Sequence, residues 1–245
     1  MKDTILKDSK SLDYIFRAGF SVDIVIVTYH NKKLKILLHK KEEEIIENDL
    51  GLPGKLILPN ENIDKAIDKL LINIIGVNSF YKKELTTFSD IGRHPLGRII
   101  TFVYYGLVSF DEINKNLSAD LKWCEITEVP NLILDHNQIT KKVFSRFRKG
   151  LLRHPIVFNL LPEKFIISDI IAIYEQVFNR KIDVRNFRKK LLSSELLMPL
   201  GEIQKNKLYN GRPSQLYSLN KIDKKLQAQI HFEFSIFLTR ILNHV

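Results

Sequence analysis

The sequence is poor in cysteine, because Cys124 is the only one among its 245 residues. A lone thiol excludes an internal disulfide and a cysteine-rich zinc site, which fits a reducing cytoplasm. No apolar run approaches the roughly 18 to 20 residues that a membrane-spanning helix needs, and the first residues lack the apolar core of a secretory signal peptide. These absences predict a cytoplasmic protein with no membrane partner.

Acidic residues are scarce in one part of the chain, and this locates the net charge of +10. Residues 1–140 hold 18 Lys and Arg against 20 Asp and Glu, a balance of −2, whereas residues 141–225 hold 19 against 7, a balance of +12. A basic segment of this kind is typical of a surface that meets a polyanion, most often nucleic acid. A basic surface that serves solubility alone is the alternative.

The segment 55–77 carries a spaced motif with few carboxylates, which ends in Gly76-Val77 and has Glu61 near its start. This spacing resembles the Nudix box, in which a glycine, a glutamate, an Arg-Glu pair, a Glu-Glu pair and a second glycine recur at fixed intervals. Alignment on the second glycine gives the box positions of the other residues: Lys55 stands at the first glycine, Lys69 at the arginine, and Leu70, Asn73 and Ile74 at three of the four glutamates.

The missing carboxylates argue against the chemistry of that box. Mg²⁺ needs several oxygen ligands, and Leu, Asn and Ile supply one weak oxygen between them. We therefore predict no catalytic residue, no metal and no cofactor, with Glu61 as a helix partner or hydroxyl acceptor and Lys55 as a second ligand contact. A substitute acidic face formed by Glu61, Asp64 and Asp68 is the alternative. The helix itself is predicted to survive, with Asn62 as its N-cap.

Strand and helix patterns alternate along the first part of the chain. β-branched runs predict strands at 23–29, 34–39, 99–108 and 121–126, and a basic helix is predicted at 137–149. The Nudix resemblance implies that these elements form an α/β/α sandwich with a mixed sheet. We assign residues 1–153 to a Nudix-like ligand-sensing domain.

A loop at 91–98, rich in Gly and basic residues, precedes the strongest strand signal. It resembles the Arg-Asp-Pro-Arg-Gly-Arg loop of the Nudix-related transcriptional regulators, with His in place of the aspartate and Leu in place of the middle arginine. Guanidinium groups suit phosphates or carboxylates and imidazole suits sugar hydroxyls, so Arg93, His94 and Arg98 are candidate ligand contacts. A solvated turn with surface cations is the alternative.

The pattern changes at 154–162, where two prolines disfavour a continuing helix and mark a domain boundary. A helix capped by Ser168 and a second helix capped by Asp183 follow, which together predict a helix-turn-helix. A hairpin at 202–219 comes next and is interpreted as a wing. We assign residues 154–222 to a winged helix-turn-helix domain.

The second of these helices has the composition of a recognition helix, with Val184, Phe187 and Leu191 predicted to face inward. Its outward residues suit DNA, since arginine reads guanine, asparagine reads adenine and lysine meets phosphate. The candidate DNA contacts are Arg185, Asn186, Arg188 and Lys189 on the helix, and Lys205, Lys207 and Arg212 at the tip of the wing.

The segments 161–165, 183–190 and 212–217 resemble the winged-helix domain of the Nudix-related transcriptional regulators. That family resemblance implies a homodimer in which degenerate Nudix-like domains sense a small molecule, either ADP-ribose or, in one branch, arabinose. It also implies that paired winged helices bind double-stranded operator DNA. Residues 223–245 form a predicted C-terminal amphipathic helix that packs within the subunit or across the dimer.

The leading hypothesis is a ligand-responsive DNA-binding transcriptional regulator whose inactive Nudix-like domain senses a sugar or nucleotide sugar. The lost metal face and Lys55 favour a neutral sugar over ADP-ribose. The alternative is that Lys55 binds a phosphate as a point charge without any metal. The alternatives are a Nudix pyrophosphohydrolase that acts on a nucleoside diphosphate derivative, and an interaction module whose winged helix contacts protein.

Overall fold

The structure is a computed structural model that describes residues 18–40, 50–77, 80–113, 117–204, 213–220 and 237–239. Two groups of predictions lie outside these residues. They are the wing-tip contacts Lys205, Lys207 and Arg212, and the C-terminal helix apart from residues 237–239, which are helical. Within the described ranges, no helix has the length and apolar content to cross a bilayer.

A seven-stranded mixed sheet forms the N-terminal part of the fold. Its strands are β1 (Gly19–His30), β2 (Lys33–Lys40), β3 (Leu50–Gly51), β4 (Gly54–Leu56), β5 (Tyr81–Phe88), β6 (Ile99–Leu107) and β7 (Leu121–Glu125). Their order is β3-β2-β1-β6-β5, with β4 paired to β1 and β7 paired to β2. The β1–β6 pair is parallel and the other pairs are antiparallel.

Helices cover both faces of this sheet, because side chains along a strand point alternately to its two sides. Ile24 and Ile26 of β1 pack with helix α1 (Ile63–Ile75). Val25, between them, packs with helix α2 (His136–Arg153). The predicted α/β/α sandwich with a mixed sheet is confirmed.

A winged helix follows the sandwich. It consists of a 3-10 turn (Ile156–Leu160), α3 (Ile167–Phe178), α4 (Val184–Leu192) and the antiparallel strands β8 (Leu197–Gln204) and β9 (Ser214–Leu219). A second 3-10 turn lies in the sandwich at Phe110–Glu112. The predicted helix-turn-helix and the two arms of the wing are confirmed.

Two predicted N-caps are also confirmed. The side chain of Asn62 accepts a hydrogen bond from the backbone N–H of Lys65 at 2.8 Å. One carboxylate oxygen of Asp183 accepts from the N–H groups of Arg185 and Asn186, both at 3.1 Å. Each cap satisfies donors that a helix leaves without an internal partner.

Two predictions about the helix-turn-helix are wrong. Ser168 is not a cap, because α3 begins one residue earlier, at Ile167, after Ile166 at the N-cap position. Val184 does not face inward: its side chain is 55% exposed. Val184 lies on the same side of α4 as Phe187, which comes three residues later. It is the first residue of the helix, and that end of the buried side is open to solvent.

Strand β5 was missed from the sequence. Among the described strands its one partner is β6, so it forms an edge of the sheet, and Lys83 and Glu84 are exposed on it. Charged residues commonly occupy edge strands, where they disfavour pairing with other chains. They also interrupt the alternating apolar pattern that identifies an internal strand.

The segment predicted as a domain boundary is itself part of the core. Ile156, Val157 and Leu160 are buried in its 3-10 turn, which packs against β1 and β6. The apolar cluster beneath the sheet continues through this turn into α3 and α4. The division after residue 153 stays a prediction, while the two predicted domains share one hydrophobic core.

The caps provide a test of this local structure. Asp183→Ala should lower the free energy of unfolding by about 1 kcal/mol, because two N–H groups of α4 lose their acceptor. Ser168→Ala is the matched control and should change it by less than about 0.5 kcal/mol, since no cap is lost. Urea denaturation followed by circular dichroism measures both, and equal effects would contradict the assignment of the caps.

Candidate functional site

The helix of the Nudix-like box is intact, but the three positions that carry glutamates in the family box differ in burial. Leu70 is buried, Asn73 is exposed and Ile74 is partly buried against the apolar cluster between α1 and the sheet. Two of the three replaced glutamate positions therefore belong to the hydrophobic core. Carboxylates could not occupy them without desolvation.

Glu61 is paired with two lysines. Its Oε2 lies 2.7 Å from Nζ of Lys55, which comes from β4, and its Oε1 lies 3.1 Å from Nζ of Lys69, which comes from α1. The Glu61 side chain is only 2% exposed, whereas those of Lys55 and Lys69 are 28% and 63% exposed. Hydrogen bonds from Lys55 and then Lys69 lower the pKa of Glu61 to about 2, so the carboxylate is ionised at neutral pH.

The other two carboxylates near this helix point elsewhere. Asp68 forms an ion pair with Lys82. The pKa of Tyr104 is raised, mainly by burial and then by the negative charges of Glu84, Asp64 and Asp68. In the portion of the chain that the structure describes, no three His, Cys, Asp or Glu side chains are grouped to hold a metal ion. Glu61, Asp64 and Asp68, the alternative acidic face, therefore do not form such a group.

The loop 91–98 is fixed to the opposite face of the sheet. The guanidinium of Arg93 donates to both oxygens of Asp135, at 2.8 Å and 2.6 Å, and also to the hydroxyl of Thr101. Its side chain is 4% exposed, so these contacts hold it at the start of α2. A bidentate pair of this kind fixes a loop well because both partners are planar.

The two remaining loop candidates have local partners. Nδ1 of His94 accepts a hydrogen bond from the backbone N–H of Leu96 at 3.1 Å, and Arg98, which is exposed, donates to the carbonyl of Ser89. The five predicted ligand contacts are thus divided. Lys55 and Glu61 meet beside α1, whereas Arg93 is anchored to β6 and the start of α2, and His94 and Arg98 bind the backbone of Leu96 and Ser89. Their roles as ligand contacts stay predictions.

Sequence reasoning missed a buried polar cluster at the start of β1. Oδ2 of Asp23 lies 3.6 Å from Nε2 of His136, whose Nδ1 accepts from the N–H of Leu52 at 2.9 Å. A side chain at Gly54 would collide with the Asp23 carboxylate, so only glycine fits there. The signal in the sequence was an aspartate inside a β-branched run.

The candidate nucleic-acid interface is the outer side of α4. Arg185, Asn186, Arg188 and Lys189 are all exposed, as predicted. Nδ2 of Asn186 donates to the second oxygen of Asp183 at 2.6 Å, which fixes the orientation of this amide. On the inner side, the Phe187 ring centroid lies 5.7 Å from that of Tyr174.

The turn between β1 and β2 contacts α3 directly. Nε2 of Gln176 donates to the carbonyl of Lys32 at 3.0 Å, and its Oε1 accepts from the N–H of Leu34 at 2.9 Å. Asp169 lies 3.3 Å from the Tyr29 hydroxyl and 3.4 Å from Nζ of Lys32. Burial, and then the charge of Asp169, raises the pKa of Tyr29, so the phenol keeps the proton that it donates.

Known proteins resemble the chain over both parts. Residues 157–219 match the family profile described as the NrtR DNA-binding winged helix domain. An ADPR responsive transcriptional repressor of Acinetobacter baylyi is 23% identical over 203 residues, which cover 80% of each chain. An ADP-ribose pyrophosphatase of Methanocaldococcus jannaschii is 25% identical over 145 residues, which cover 59% of this chain and 83% of that enzyme.

A solved structure reproduces the whole arrangement. NrtR of Shewanella oneidensis, crystallised with a 27mer DNA, superimposes with a TM-score of 0.71 at 25% identity and covers 82% of this chain and 93% of its own. The match includes the order of the two parts, sandwich first and winged helix second. The chain is therefore similar to the Nudix-related transcriptional regulators in both its sandwich and its winged helix.

Proposed function

We propose that this chain is a ligand-responsive regulator whose winged helix binds operator DNA and whose Nudix-like domain senses a small molecule. The observation that carries the proposal is the exposed basic side of α4, with Arg185, Arg188 and Lys189, on a winged helix that matches the NrtR DNA-binding profile. Arginine recognises guanine through paired hydrogen bonds in the major groove, and lysine binds phosphate.

The distribution of charge supports DNA over a protein partner. Residues 141–225 hold 19 Lys and Arg against 7 Asp and Glu, and each cation that neutralises a phosphate releases bound counterions from DNA. The same segment contains the recognition helix. A winged helix that contacts protein has no need of such an excess.

The proposed effector is ADP-ribose or a closely related nucleoside diphosphate sugar. The names of two relatives, an ADPR responsive repressor and an ADP-ribose pyrophosphatase, favour this ligand. The box supplies cations, Lys55 and Lys69, around Glu61, and cations suit a diphosphate better than an uncharged sugar. This choice replaces the preference for a neutral sugar that the sequence suggested.

The proposed sensor is not a hydrolase. Nudix chemistry needs a divalent cation held by several carboxylates, and the residues of this box do not fit one. Leu70 and Ile74 lie in or against the hydrophobic core, and Glu61 is neutralised by lysines. The alternative, a pyrophosphohydrolase, is favoured only by the enzyme among the relatives.

Control of DNA binding is proposed to be a population shift in a homodimer. Gln176 and Asp169 tie the winged helix of each subunit to its own sensor sheet. An effector that changes how the two sensor domains pack therefore changes the separation of the two recognition helices. That separation must be near one turn of DNA, roughly 34 Å, to read a palindrome. The effector acts only through its different affinities for the two arrangements.

DNA binding tests the recognition helix. Arg185→Ala should weaken binding to a selected operator by about 1 to 3 kcal/mol, because a base contact is lost. Lys122→Ala, an exposed lysine on β7 of the sandwich, is the control and should bind like the unmodified protein. Fluorescence anisotropy with operators enriched from a random DNA library, at stated salt, measures both. Wild-type affinity in Arg185→Ala would exclude this helix as the reader of bases.

Hydrolysis distinguishes the sensor from the enzyme. With ADP-ribose and Mg²⁺ or Mn²⁺, we expect no release of AMP above the rate without protein, because the metal ligands are lacking. The pyrophosphatase from Methanocaldococcus jannaschii serves as the positive control. Turnover that disappears in Glu61→Gln would establish the alternative function.

The contact between α3 and the β1–β2 turn has its own test. Gln176→Ala should reduce the effect of ADP-ribose on operator affinity, because the turn loses its two hydrogen bonds to α3. ADP-ribose affinity in the absence of DNA should stay within roughly twofold, a difference of only a few tenths of a kcal/mol. Gln138→Ala, an exposed glutamine on α2, is the control. An unchanged effect in Gln176→Ala would mean that coupling does not use this contact.

A further inference from the structure

Two lysines and a glutamate form a small charged cluster at the box, which we name the Lys55–Glu61–Lys69 cluster. It arises because β4 brings Lys55, and the second turn of α1 brings Lys69, to the two oxygens of the same carboxylate. The backbone around it is well fixed: the N–H of Glu61 donates to the carbonyl of Leu58 at 3.0 Å, and Asn62 caps α1.

Its charges are arranged by depth. The carboxylate of Glu61 is 2% exposed, and the side chains of Lys55 and Lys69 are 28% and 63% exposed. One negative charge therefore lies inside and two positive charges lie nearer to solvent, which leaves a net charge of +1. An inner carboxylate in this place orients the ammonium groups, and a solvent-borne ligand meets the cations first.

The nearby acid Asp68 is itself paired with Lys82, so its charge is already balanced. The cluster also sits where the first turn of α1 presents the positive end of its helix dipole. The local field is thus suited to an anion and opposed to a divalent cation.

We propose that the Lys55–Glu61–Lys69 cluster binds a diphosphate directly, with the two lysines in the place of the divalent cation that a Nudix box ordinarily uses. The inference rests on the proposed sensor function and names the part of the ligand that the site recognises. Each ammonium has three N–H donors. Lys55 donates one of them to Glu61, and Lys69 is held beside the same carboxylate as an ion pair, so further donors of both lysines can reach phosphate oxygens.

The cluster also explains why the box has kept a glutamate after losing the others. Without Glu61, two ammonium groups brought together by β4 and α1 would repel each other. With it, their positions are fixed before a ligand arrives, which reduces the entropy lost on binding. Glu61 is in this sense a positioning residue, and the lysines are the binding residues.

Binding of inorganic pyrophosphate to the full-length protein tests the inference. Isothermal titration calorimetry in EDTA at low salt should detect binding. Lys55→Gln and Lys69→Gln should each weaken it roughly tenfold, as expected for the loss of one charge-assisted contact. Lys82→Gln removes a lysine that pairs with Asp68 on the same helix and is the matched control. Lys69→Arg keeps the charge and should restore most of the affinity.

Metal dependence gives the decisive outcomes. Pyrophosphate binding that requires added Mg²⁺, or that is undetectable both with and without it, would overturn the inference. So would a stoichiometric Mn²⁺ site, seen by electron paramagnetic resonance, that is lost in Glu61→Gln. Circular dichroism of every variant shows whether it is folded, and a lysine variant that unfolds is replaced by the methionine variant of the same position.

The inference and the proposed function can fail separately. If pyrophosphate binds without metal and no DNA is selected from a random library, the diphosphate site is supported and the proposed regulator function is wrong. If DNA binds and pyrophosphate binds only when a metal is added, the proposed regulator function is supported and the metal-free diphosphate site is wrong. The same protein preparation serves both measurements.

Discussion

The position of the recognition helix depends on one continuous hydrophobic core. Tyr174 lies at its centre, fully buried, with its hydroxyl donating to the carbonyl of Leu151 in α2 at 3.3 Å. Its ring packs on Phe187 of α4, and the same cluster includes Val25 and Ile36 of the sheet. Interiors of this density transmit displacements instead of absorbing them. The winged helix is therefore held by the sensor sheet itself and not by a linker.

This continuity limits how a ligand can control DNA binding. A hinge between two independent domains needs an interface with few buried contacts, whereas here Ile156, Val157 and Leu160 are buried at the junction. Movement within a subunit would expose them to water. In the proposed homodimer, the element with two discrete arrangements would therefore lie between the subunits, where rigid bodies can rotate about an interface without loss of either core. The hydrogen bonds between Gln176 and the β1–β2 turn then hold the winged helix and the sheet of the same subunit together.

Patterns that depend on neighbours in sequence could be predicted, and contacts that depend on folding could not. The β-branched run of β1 and the caps Asn62 and Asp183 are local signals, and the structure contains them. The inward direction assigned to Val184 failed because helical spacing predicts which side of a helix is buried and not how far along the helix the core extends. The core covers Phe187 but not Val184, the first residue of α4. The pairing of Arg93 with Asp135 joins residues 42 positions apart, which no local pattern reveals.

The box shows why loss of catalytic residues need not abolish a binding site. A Nudix helix without its carboxylates no longer binds the divalent cation that contacts the diphosphate. The diphosphate would then meet a surface without positive charge. In this chain the first glycine and the arginine of the box are both lysines, Lys55 and Lys69, and both contact the one remaining box glutamate, Glu61. Since the pKa of Glu61 is held at about 2 by these contacts, its carboxylate stays charged across the physiological range. Recognition of an anion by fixed ammonium groups then needs no metal and leaves no activated water, so a ligand can be bound without being consumed.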